Sequence, residues 1–423
     1  MGYLLLLIYT LLAPLGAALY AVFFLLSPRR ALLRSLLSEL PERLALRTPA
    51  ARGALWVHAA SLGEVKAVSR LAPELAAALK APLLFTCSTA PGRAEAARLG
   101  GEALLAPLDF YPLPAALILA ALPRALLIAE TELWPATLVA AARAGVPVFL
   151  VNARLSERTA AAYRLLPPLS RLIFSGVRAV LAQTEADAAR YSSLPGLEGK
   201  VSVTGNLKHD LLTAHPAGQA EVSAFFGGAG WAGSPALAAG STHPPEEPVL
   251  VDAWLEARKK VPGLKLALVP RHLEKLKGTE ALLSERKIPY TLWSRRTEGR
   301  PEDCLLVDAM GLLQAFYSVS GLCFVGGTLD DTGGHNVLEP ALFSRPALFG
   351  PNYRNARQAG DELLKSKGGF LAETAPAMAG LVTRLFTDPA AMAAAETGSR
   401  QALASLRGAT ARTAAALLSS QPL

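Results

Sequence analysis

The segment from Phe324 to Tyr353 has the residue types and spacing of a phosphate-binding loop. The apolar run Leu322–Val325 leads into glycines, and a second glycine pair, Gly333–Gly334, precedes Asn336 and Glu339. Glycines let a backbone approach a ligand closely, and the unpaired N–H groups at a helix start attract an anion. Asn336 and Glu339 would share one helical face, where the carboxylate can accept hydrogen bonds from two ribose hydroxyls. The alternative is structural: Asn336 caps the helix and Glu339 completes a capping box.

Carboxylates follow buried apolar strands in two other places. In the segment from His58 to Glu64, Glu64 would project from the first turn of a helix, where it could act as a general base on a sugar hydroxyl. Ser61 lies three residues before Glu64, and this spacing alone favours a capping box. Glu130 and Glu132 follow the apolar strand that ends at Ala129, where buried carboxylates are costly without a partner or a ligand. Their structural alternative is a helix start with acids that favour the helix dipole.

Cations also follow predicted strands, at Arg154, Lys208 and Arg271. Arg271 is placed to pair with a phosphate through two hydrogen bonds, whereas Lys208 alone means little. The sequence contains no P-loop, no G-x-S-x-G elbow and no metal-ligand spacing of His and Cys, so we predict no metal site. The neighbouring Asp330 and Asp331 diverge in direction and are typical of a turn.

Short apolar strands alternate with helices in two blocks, which predicts two doubly wound α/β domains with parallel sheets. The strands predicted in the first block are Ala54–Val57, Pro82–Thr86, Ala125–Ala129, Val146–Val151, Ala179–Ala182 and Val201–Thr204. Those of the second block are Ala236–Ala239, Leu264–Val269, Tyr290–Leu292, Cys304–Val307, Gly321–Val325 and Pro346–Phe349. Such a pair of domains would place a cleft between the carboxyl ends of both sheets, and the polar motifs would face it.

Residues rich in Gly, Ala and Pro separate the two blocks and indicate a linker. The predicted organisation is a membrane anchor over 1–28, a first domain over 29–213, the linker over 214–235, a second domain over 236–395 and a helical tail over 396–423.

The first residues are strongly apolar. Tyr3–Leu26 carries no charge, and about 20 apolar residues are enough to span a bilayer. Pro14 and Gly16 could kink this segment or make it lie partly in the membrane surface. A cleaved signal peptide fits less well, because no basic stretch precedes the apolar run and no A-x-A site closes it. Arg29 and Arg30 follow, so the positive-inside rule places the remaining chain on the cytoplasmic side.

Composition excludes some classes of protein. The chain has 423 residues, 52% of them hydrophobic, which is enough for two domains with full cores. Cys87, Cys304 and Cys323 lack disulfide or metal spacing and are typical of buried residues in a reducing compartment. The net charge of +8 is spread along the chain without aromatic interleaving, which argues against nucleic acid. An anionic membrane, lipid acceptor or donor explains it as well.

Together these motifs resemble the 3-deoxy-D-manno-octulosonic acid (Kdo) transferases of lipopolysaccharide synthesis. The segments that carry the resemblance are HAASLGE at His58, ETELWP at Glu130, NARLS at Asn152, TGNLKHD at Thr204, GSTH at Gly240, PRH at Pro270 and GGHNVLEP at Gly333. They follow one another in the family's order, and the match reaches about Gly369. A shared fold alone would not produce this order.

The resemblance implies a GT-B glycosyltransferase on the cytoplasmic face of the inner membrane. Its donor would be CMP-Kdo and its acceptor an acylated glucosamine disaccharide, the lipid A precursor. The resemblance also implies that Glu64 deprotonates the acceptor hydroxyl and that Glu130 and Lys208 stabilise the transition state. The implied CMP site consists of Pro270, Arg271, Met310, Gly311, Leu312, Asn336, Val337, Leu338 and Glu339. Many members have an acidic residue where this chain has Leu312, so a contact there would come from the backbone.

The chemistry of such a donor agrees with these residues. The leaving group is a nucleoside monophosphate, so we expect neither a metal that chelates a diphosphate nor any other cofactor. Arg271 and the helix start near Asn336 would stabilise the charge of the departing CMP. One base and one displacement predict inversion at the transferred carbon. One alternative is a GT-B enzyme that uses a nucleoside diphosphate sugar. The other is a catalytically silent sugar- or lipid-binding protein, and the presence of Glu64, Glu130 and Lys208 argues against this second alternative.

Overall fold

Each of the two predicted blocks forms a parallel sheet of seven strands. A computed structural model describes residues 1–26, 32–215, 217–228, 230–297 and 301–420. The chain divides into unit 1, Met1–Leu211 with Arg407–Leu423, and unit 2, Leu212–Leu406. The predicted class, two α/β domains with parallel sheets, is confirmed.

The sheet of unit 1 has the strand order β3-β2-β1-β4-β5-β6-β7. Its strands are β1 (Leu55–His58), β2 (Leu83–Cys87), β3 (Glu102–Leu105), β4 (Ala125–Ala129), β5 (Val148–Ala153), β6 (Val177–Ala182) and β7 (Val201–Val203). The central strands are buried throughout, because helices cover both faces of the sheet. Edge strand β3 was not predicted: it has only two buried residues and therefore lacks a continuous apolar run.

The sheet of unit 2 has the equivalent order β10-β11-β9-β8-β12-β13-β14. Its strands are β8 (Ala236–Thr242), β9 (Lys265–Pro270), β10 (Tyr290–Leu292), β11 (Cys304–Leu306), β12 (Leu322–Val325), β13 (Ala347–Phe349) and β14 (Gly369–Leu371). The short edge strand β14 was also missed, since it begins with glycine and spans three residues. The three cysteines are buried, as predicted.

Helices cover both sheets. Those of unit 1 are α1 (Gly2–Leu26), α2 (Leu32–Arg43), α3 (Leu62–Val68), α4 (Leu71–Leu79), α5 (Ala90–Ala97), α6 (Pro112–Ala121), α7 (Pro135–Arg143), α8 (Glu157–Leu165), α9 (Pro167–Ile173), α10 (Glu185–Ser192) and α18 (Ala409–Ser419). Those of unit 2 are α11 (Gln219–Phe226), α12 (Glu247–Arg258), α13 (Leu276–Glu285), α14 (Leu313–Val319), α15 (Arg357–Lys365), α16 (Ala375–Thr387) and α17 (Pro389–Leu406). The last helix, α18, packs on α4 of unit 1.

Both sheets reverse their strand order at a central position. The reversal lies between β1 and β4 in unit 1, and between β8 and β12 in unit 2. At such a point the loops leave the sheet in opposite directions and open a crevice at the carboxyl ends of the strands, where α/β proteins bind ligands. The candidate residues after β1, β4, β8 and β12 therefore lie at two equivalent positions.

The segment predicted as a linker, 214–235, contains helix α11. Its aromatic residues pack within unit 2: Phe225 lies 5.2 Å from Trp231 and 5.5 Å from Trp293, measured between ring centroids. Positions 216 and 229 lie outside the described residues. Four aromatic contacts of this kind explain how a segment rich in Gly and Ala becomes ordered.

The first helix, α1, packs on unit 1 through part of its surface. Leu6 is buried, and the Tyr9 hydroxyl donates a hydrogen bond to Asp109 at 3.0 Å. Other apolar side chains of α1 are exposed, namely Tyr3, Leu4, Leu7, Ile8, Leu11 and Leu12. Within the part of the chain that the structure describes, no helix has both the length and the apolar character that crossing a membrane requires. Arg29 and Arg30, which we expected to set the orientation, lie outside the described residues.

Candidate functional site

Glu64 lies at the start of α3, just beyond the carboxyl end of β1. The N–H of Glu64 donates to Ser61 Oγ at 3.4 Å, so Ser61 is the N-cap that the structural alternative predicted. The Glu64 carboxylate accepts from the Ala60 N–H at 2.7 Å and from the Ser61 hydroxyl at 3.1 Å. In a capping box the Glu64 carboxylate would accept from the N–H of Ser61, so this arrangement is not a complete capping box. The hydrogen bonds from Ala60 and Ser61 hold the Glu64 carboxylate in place at the strand end.

The surroundings of Glu64 raise the affinity of its carboxylate for a proton. Burial raises the pKa of the Glu64 carboxyl, and the negative charges of Glu132 and Glu130 raise it further. Hydrogen bonds from Ala60 and Ser61 oppose this shift in the pKa without cancelling it. A carboxylate with a raised pKa binds a proton more readily, which a general base near neutral pH requires.

Glu130 and Lys208 form an ion pair inside unit 1. Lys208 Nζ lies 2.6 Å from Glu130 Oε1, and the Glu130 side chain is only 8% exposed. The Asn152 amide donates to the same Glu130 oxygen at 3.4 Å and accepts from the Leu207 N–H at 3.0 Å. Asn152 thus ties the end of β4 to the segment that carries Lys208. Arg154, in contrast, is exposed and reaches Glu130 only through its backbone N–H.

Three residues at strand ends have left-handed backbones although none is glycine. Their φ angles are +56° at Glu130, +51° at Asn152 and +52° at Ser241. Such a conformation costs on the order of 1–3 kcal/mol and persists where the surrounding structure requires it, commonly at functional sites. This strain supports a functional role for the ends of β4, β5 and β8.

Glu132 and His58 were part of predicted motifs but received no role. The Trp134 indole N–H donates to Glu132 Oε2 at 2.8 Å and to His58 Nε2 at 3.2 Å. The His58 ring lowers the pKa of the Glu132 carboxyl, and the Trp134 N–H assists. Glu132 therefore remains a negative charge close to Glu64. The sequence signal that could have identified Glu132 was its position two residues after Glu130, close to the end of a buried strand.

In unit 2, Arg271 and Glu339 share one site. Pro270 ends β9, and the exposed Arg271 follows it. Burial raises the pKa of Glu339, and the charge of Arg271 opposes that increase. Among the described residues, no carboxylate forms an ion pair with Arg271. Its guanidinium is thus available to an anionic ligand.

The loop after β12 differs from the open phosphate cradle that its glycines suggested. The buried Glu246 carboxylate accepts from the N–H groups of Gly327, Thr328 and Leu329, at 2.7, 2.9 and 2.8 Å. These three N–H groups are therefore occupied by the protein itself. Glu246 lies three residues after His243 and was not among the predicted site residues.

The polar residues beyond this loop also differ from the predicted helix start. Asn336 Oδ1 accepts from the Leu338 N–H at 3.2 Å, and a 3-10 helix, Glu339–Phe343, follows in place of an α-helix. Glu339 completes no capping box with Asn336. Val337 and Leu338 are buried, whereas Asn336 is exposed. Of these four residues, Asn336 and Glu339 present side chains that can bind a ligand.

Leu312 packs against the protein. Gly218 lies so close to the Leu312 side chain that a Cβ at position 218 would collide with it. Met310 is 64% exposed, and Gly311 has a φ of +85°. The exposed backbone of Met310–Gly311 is consistent with a ligand contact through the main chain.

Two histidines meet beside the loop after β12. His243 Nε2 lies 2.9 Å from His335 Nε2, and Asp330 Oδ2 lies 3.2 Å from His243 Nδ1. Burial and the charges of His243 and Arg271 lower the pKa of His335. The Thr332 N–H donates to Asp330 Oδ1 at 2.9 Å, which confirms the predicted turn.

Replacing Glu246 by glutamine is expected to destabilise unit 2. Thr328 and Leu329 donate to one oxygen of the carboxylate, and Gly327 and His243 donate to the other. The amide oxygen of glutamine can replace only one of these oxygens, so the NH₂ group faces the other two N–H groups. A buried donor without an acceptor lowers the free energy of unfolding by about 1–3 kcal/mol. Chemical denaturation measures this loss, and hydrogen exchange should become faster at 327–329.

Glu247→Gln is the matched control for this substitution. Glu247 is also buried, but it accepts from the Thr242 hydroxyl at 3.1 Å, and burial raises its pKa. A neutral side chain is therefore tolerated there. Equal stability losses in the two variants would contradict the role that we assign to the Glu246 carboxylate.

The fold is similar to that of nucleotide-sugar enzymes with two α/β domains. The solved structure of UDP-GlcNAc 2-epimerase from Neisseria meningitidis bound to UDP-GlcNAc matches with a TM-score of 0.55. The match covers 86% of this chain and all of that one, at 16% identity. The class is thus a two-domain, parallel-sheet α/β protein of the GT-B-like kind.

Comparisons of sequence identify the family. Residues 38–211 match the family model described as "3-Deoxy-D-manno-octulosonic-acid transferase (kdotransferase)". The 3-deoxy-D-manno-octulosonic acid transferase of Bordetella pertussis is 33% identical, over 89% of each chain. That of Chlamydophila psittaci is 32% identical, over 74% of this chain and 73% of the relative. The chain belongs to the 3-deoxy-D-manno-octulosonic acid transferase family, which confirms the resemblance of its motifs.

Proposed function

We propose that the protein transfers Kdo from CMP-Kdo to a lipid A precursor, an acylated glucosamine disaccharide, with inversion and without a metal ion. The observation that carries this proposal is the set of carboxylates at the reversal point of unit 1. Glu64 follows β1 and Glu130 follows the neighbouring β4, with Lys208 paired to Glu130 at 2.6 Å. Membership of the family accounts for Kdo transferase activity, whereas the acceptor, the inversion and the role of Glu64 belong to this proposal.

Glu64 acts as the base in this proposal. Its carboxylate removes the proton from the acceptor hydroxyl as the hydroxyl oxygen attacks the anomeric carbon of Kdo. The new C–O bond forms as the bond from that carbon to the CMP phosphate breaks, and the electron pair leaves with CMP. The proton remains on Glu64. One displacement inverts the carbon, and the raised pKa of Glu64 favours the proton transfer.

The cations neutralise charge in the transition state. Lys208 is held by Glu130, to which Asn152 donates a hydrogen bond, so little reorganisation is needed when Lys208 meets the phosphate or the carboxylate of the sugar. In unit 2, Arg271 binds the phosphate of CMP, while the side chain of Glu339 accepts hydrogen bonds from the ribose hydroxyls. The exposed Met310–Gly311 backbone and Asn336 complete the donor site.

Helix α1 attaches the protein to the cytoplasmic face of the inner membrane in this proposal. Leu4, Leu7, Ile8 and Leu11 are exposed on α1, and burying an apolar side chain of this size in a membrane stabilises attachment by roughly 1.5–3 kcal/mol. An acceptor whose acyl chains stay in the bilayer would then reach unit 1 from the membrane surface.

Transfer itself is tested with purified full-length protein, CMP-Kdo and a tetra-acylated disaccharide. Mass spectrometry should detect the acceptor with its mass increased by one or more Kdo residues. The same reaction with chelator should proceed equally, and UDP-sugars should give no product. Absence of product with CMP-Kdo would refute the proposal, and loss of activity with chelator would refute its metal independence.

The negative charge of Glu132 should be visible in the pH profile. Because this charge raises the pKa of Glu64, Glu132→Gln should lower that pKa while its amide oxygen still accepts from Trp134. Glu64 then loses its proton at lower pH, so the acid limb of kcat/KM should move to lower pH. The exposed Glu74→Gln on α4 is the control. An unmoved limb, or a shift to higher pH, would contradict the coupling between Glu132 and Glu64.

A further inference from the structure

Unit 1 contains a cavity of about 160 Å³ at the carboxyl end of its sheet. Residues of β1, β2 and β4 form its floor, and the loop after β4 forms one wall. It therefore lies at the reversal point between β1 and β4, where an α/β sheet binds its ligand. None of the residues proposed for base or donor binding lines it. Its lining includes the side chains of Trp56, His58, Thr86, Asp109 and Trp134.

Trp134 provides this cavity with an oriented aromatic face. The residue is 37% exposed, yet its indole N–H donates to both Glu132 and His58. His58 is held in turn: its Nδ1 lies 3.0 Å from Thr86 Oγ1, which also accepts from the Trp56 indole at 2.8 Å. The ring plane of Trp134 is thus set before any ligand arrives, which lowers the entropic cost of binding.

The other polar groups of the wall bind the protein itself. Asp109 accepts from the N–H groups of Ala136 and Thr137 and from the hydroxyls of Thr137 and Tyr9. Its carboxylate therefore stabilises the start of α7. The cavity consequently offers no unpaired Asp109 charge to a ligand, but it combines aromatic faces with hydroxyl and imidazole groups.

These features favour a sugar ring as occupant. A pyranose has apolar C–H faces that pack on an indole and a rim of hydroxyl groups that meets polar side chains. An acyl chain would instead require walls without His58, Thr86, Asp109 and the guanidinium of Arg43. Glu132 connects the cavity with the base, because it contacts Trp134 and its charge acts on Glu64.

We propose that this cavity binds an aminosugar ring of the acceptor, with Trp134 as the stacking surface that presents the reacting hydroxyl to Glu64. The assignment rests on the proposed function, since it takes the acceptor to be a glycolipid. Trp134 is a binding residue for the acceptor. His58 is a positioning residue that acts through Trp134.

Trp134→Ala and Trp134→Phe test the assignment. Loss of the stacking surface should raise the acceptor KM about tenfold or more in Trp134→Ala, as expected when about 1.4 kcal/mol of binding is lost. The KM for CMP-Kdo should stay within twofold. Trp134→Phe retains a ring but loses its two hydrogen bonds, so its acceptor KM should be intermediate. Leu119→Ala, which truncates an apolar side chain that is 71% exposed on α6, is the control.

The acceptor is used in two forms, acylated and fully deacylated. A sugar site predicts the same increase in KM for both, whereas an increase confined to the acylated form would overturn the proposal in favour of an acyl-chain site. An unchanged acceptor KM in Trp134→Ala would also overturn it.

A binding measurement separates this proposal from the proposed function. Calorimetry should detect binding of the deacylated disaccharide to the wild type, and Trp134→Ala should weaken this affinity about tenfold or more. If the wild type shows this binding but transfers no Kdo, the proposed function fails and the sugar site holds. If it transfers Kdo but Trp134→Ala binds the disaccharide as tightly as the wild type, the sugar site fails and the function holds.

Discussion

Replacing Glu64 by glutamine should reduce kcat by about 10²–10⁴-fold, the contribution typical of a general base. Glutamine keeps the size of the side chain. Its amide oxygen can accept from the Ala60 N–H, and its NH₂ can donate to Ser61 Oγ, so the start of α3 should remain intact. The variant therefore isolates the proton transfer from the fold.

Three measurements check this expectation: turnover with CMP-Kdo, the affinity for CMP by calorimetry, and the thermal midpoint. Turnover should fall while CMP affinity and the midpoint stay close to the wild type. Glu74→Gln, an exposed substitution in the same unit, should leave all three unchanged. Near-normal turnover in Glu64→Gln would show that another group accepts the proton.

Lys208→Met should impair both stability and turnover, for different reasons. Its loss leaves the Glu130 carboxylate without its cation, which should lower the free energy of unfolding by about 1–3 kcal/mol. We expect the lower part of that range, because Lys208 is 46% exposed and water therefore screens the charge of the pair. Turnover should fall by about 10²–10³-fold, as when a group that stabilises transition-state charge is removed.

The double variant Glu130→Gln/Lys208→Met separates the two effects. Without the carboxylate no unpaired charge remains, so stability should return towards that of the wild type while turnover stays low. Lys365→Met, at a side chain that is 79% exposed, is the control for loss of a lysine. If the double variant recovered turnover together with stability, the pair would serve the fold alone.

The sequence predicts the central strands well because burial on both faces makes them continuous apolar runs. Ala125–Ala129 agrees residue by residue with β4, a central strand whose five residues are all buried. Edge strands β3 and β14 have too few buried residues to give such a signal. The polar residues at strand ends could also be predicted as site candidates, since polar residues after a buried apolar run must meet a partner or a ligand.

Contacts between distant residues could not be predicted in the same way. Nothing local in the sequence pairs Lys208 with Glu130 and not with Glu132, because that choice depends on how the segment after β7 crosses the sheet end. The left-handed backbone of Glu130 could not be predicted from its residue type, whereas asparagine, as at position 152, adopts this conformation more often than most residues. Acids such as Glu246 and Glu247 are common at a helix start, where they favour the helix dipole, so their residue types do not predict that Glu246 is buried and binds the loop after β12.

Glu246 determines when the loop after β12, which adjoins the proposed donor site, becomes ordered. A glycine-rich loop that waits for its ligand loses conformational freedom at the moment of binding, and that loss weakens affinity. Here three N–H groups of the loop are bound during folding, by a carboxylate of the same chain. The ordering of this loop is therefore complete before any ligand arrives. In the proposed function the nucleotide would meet a surface that is already rigid, and its binding energy would remain available for the transfer reaction.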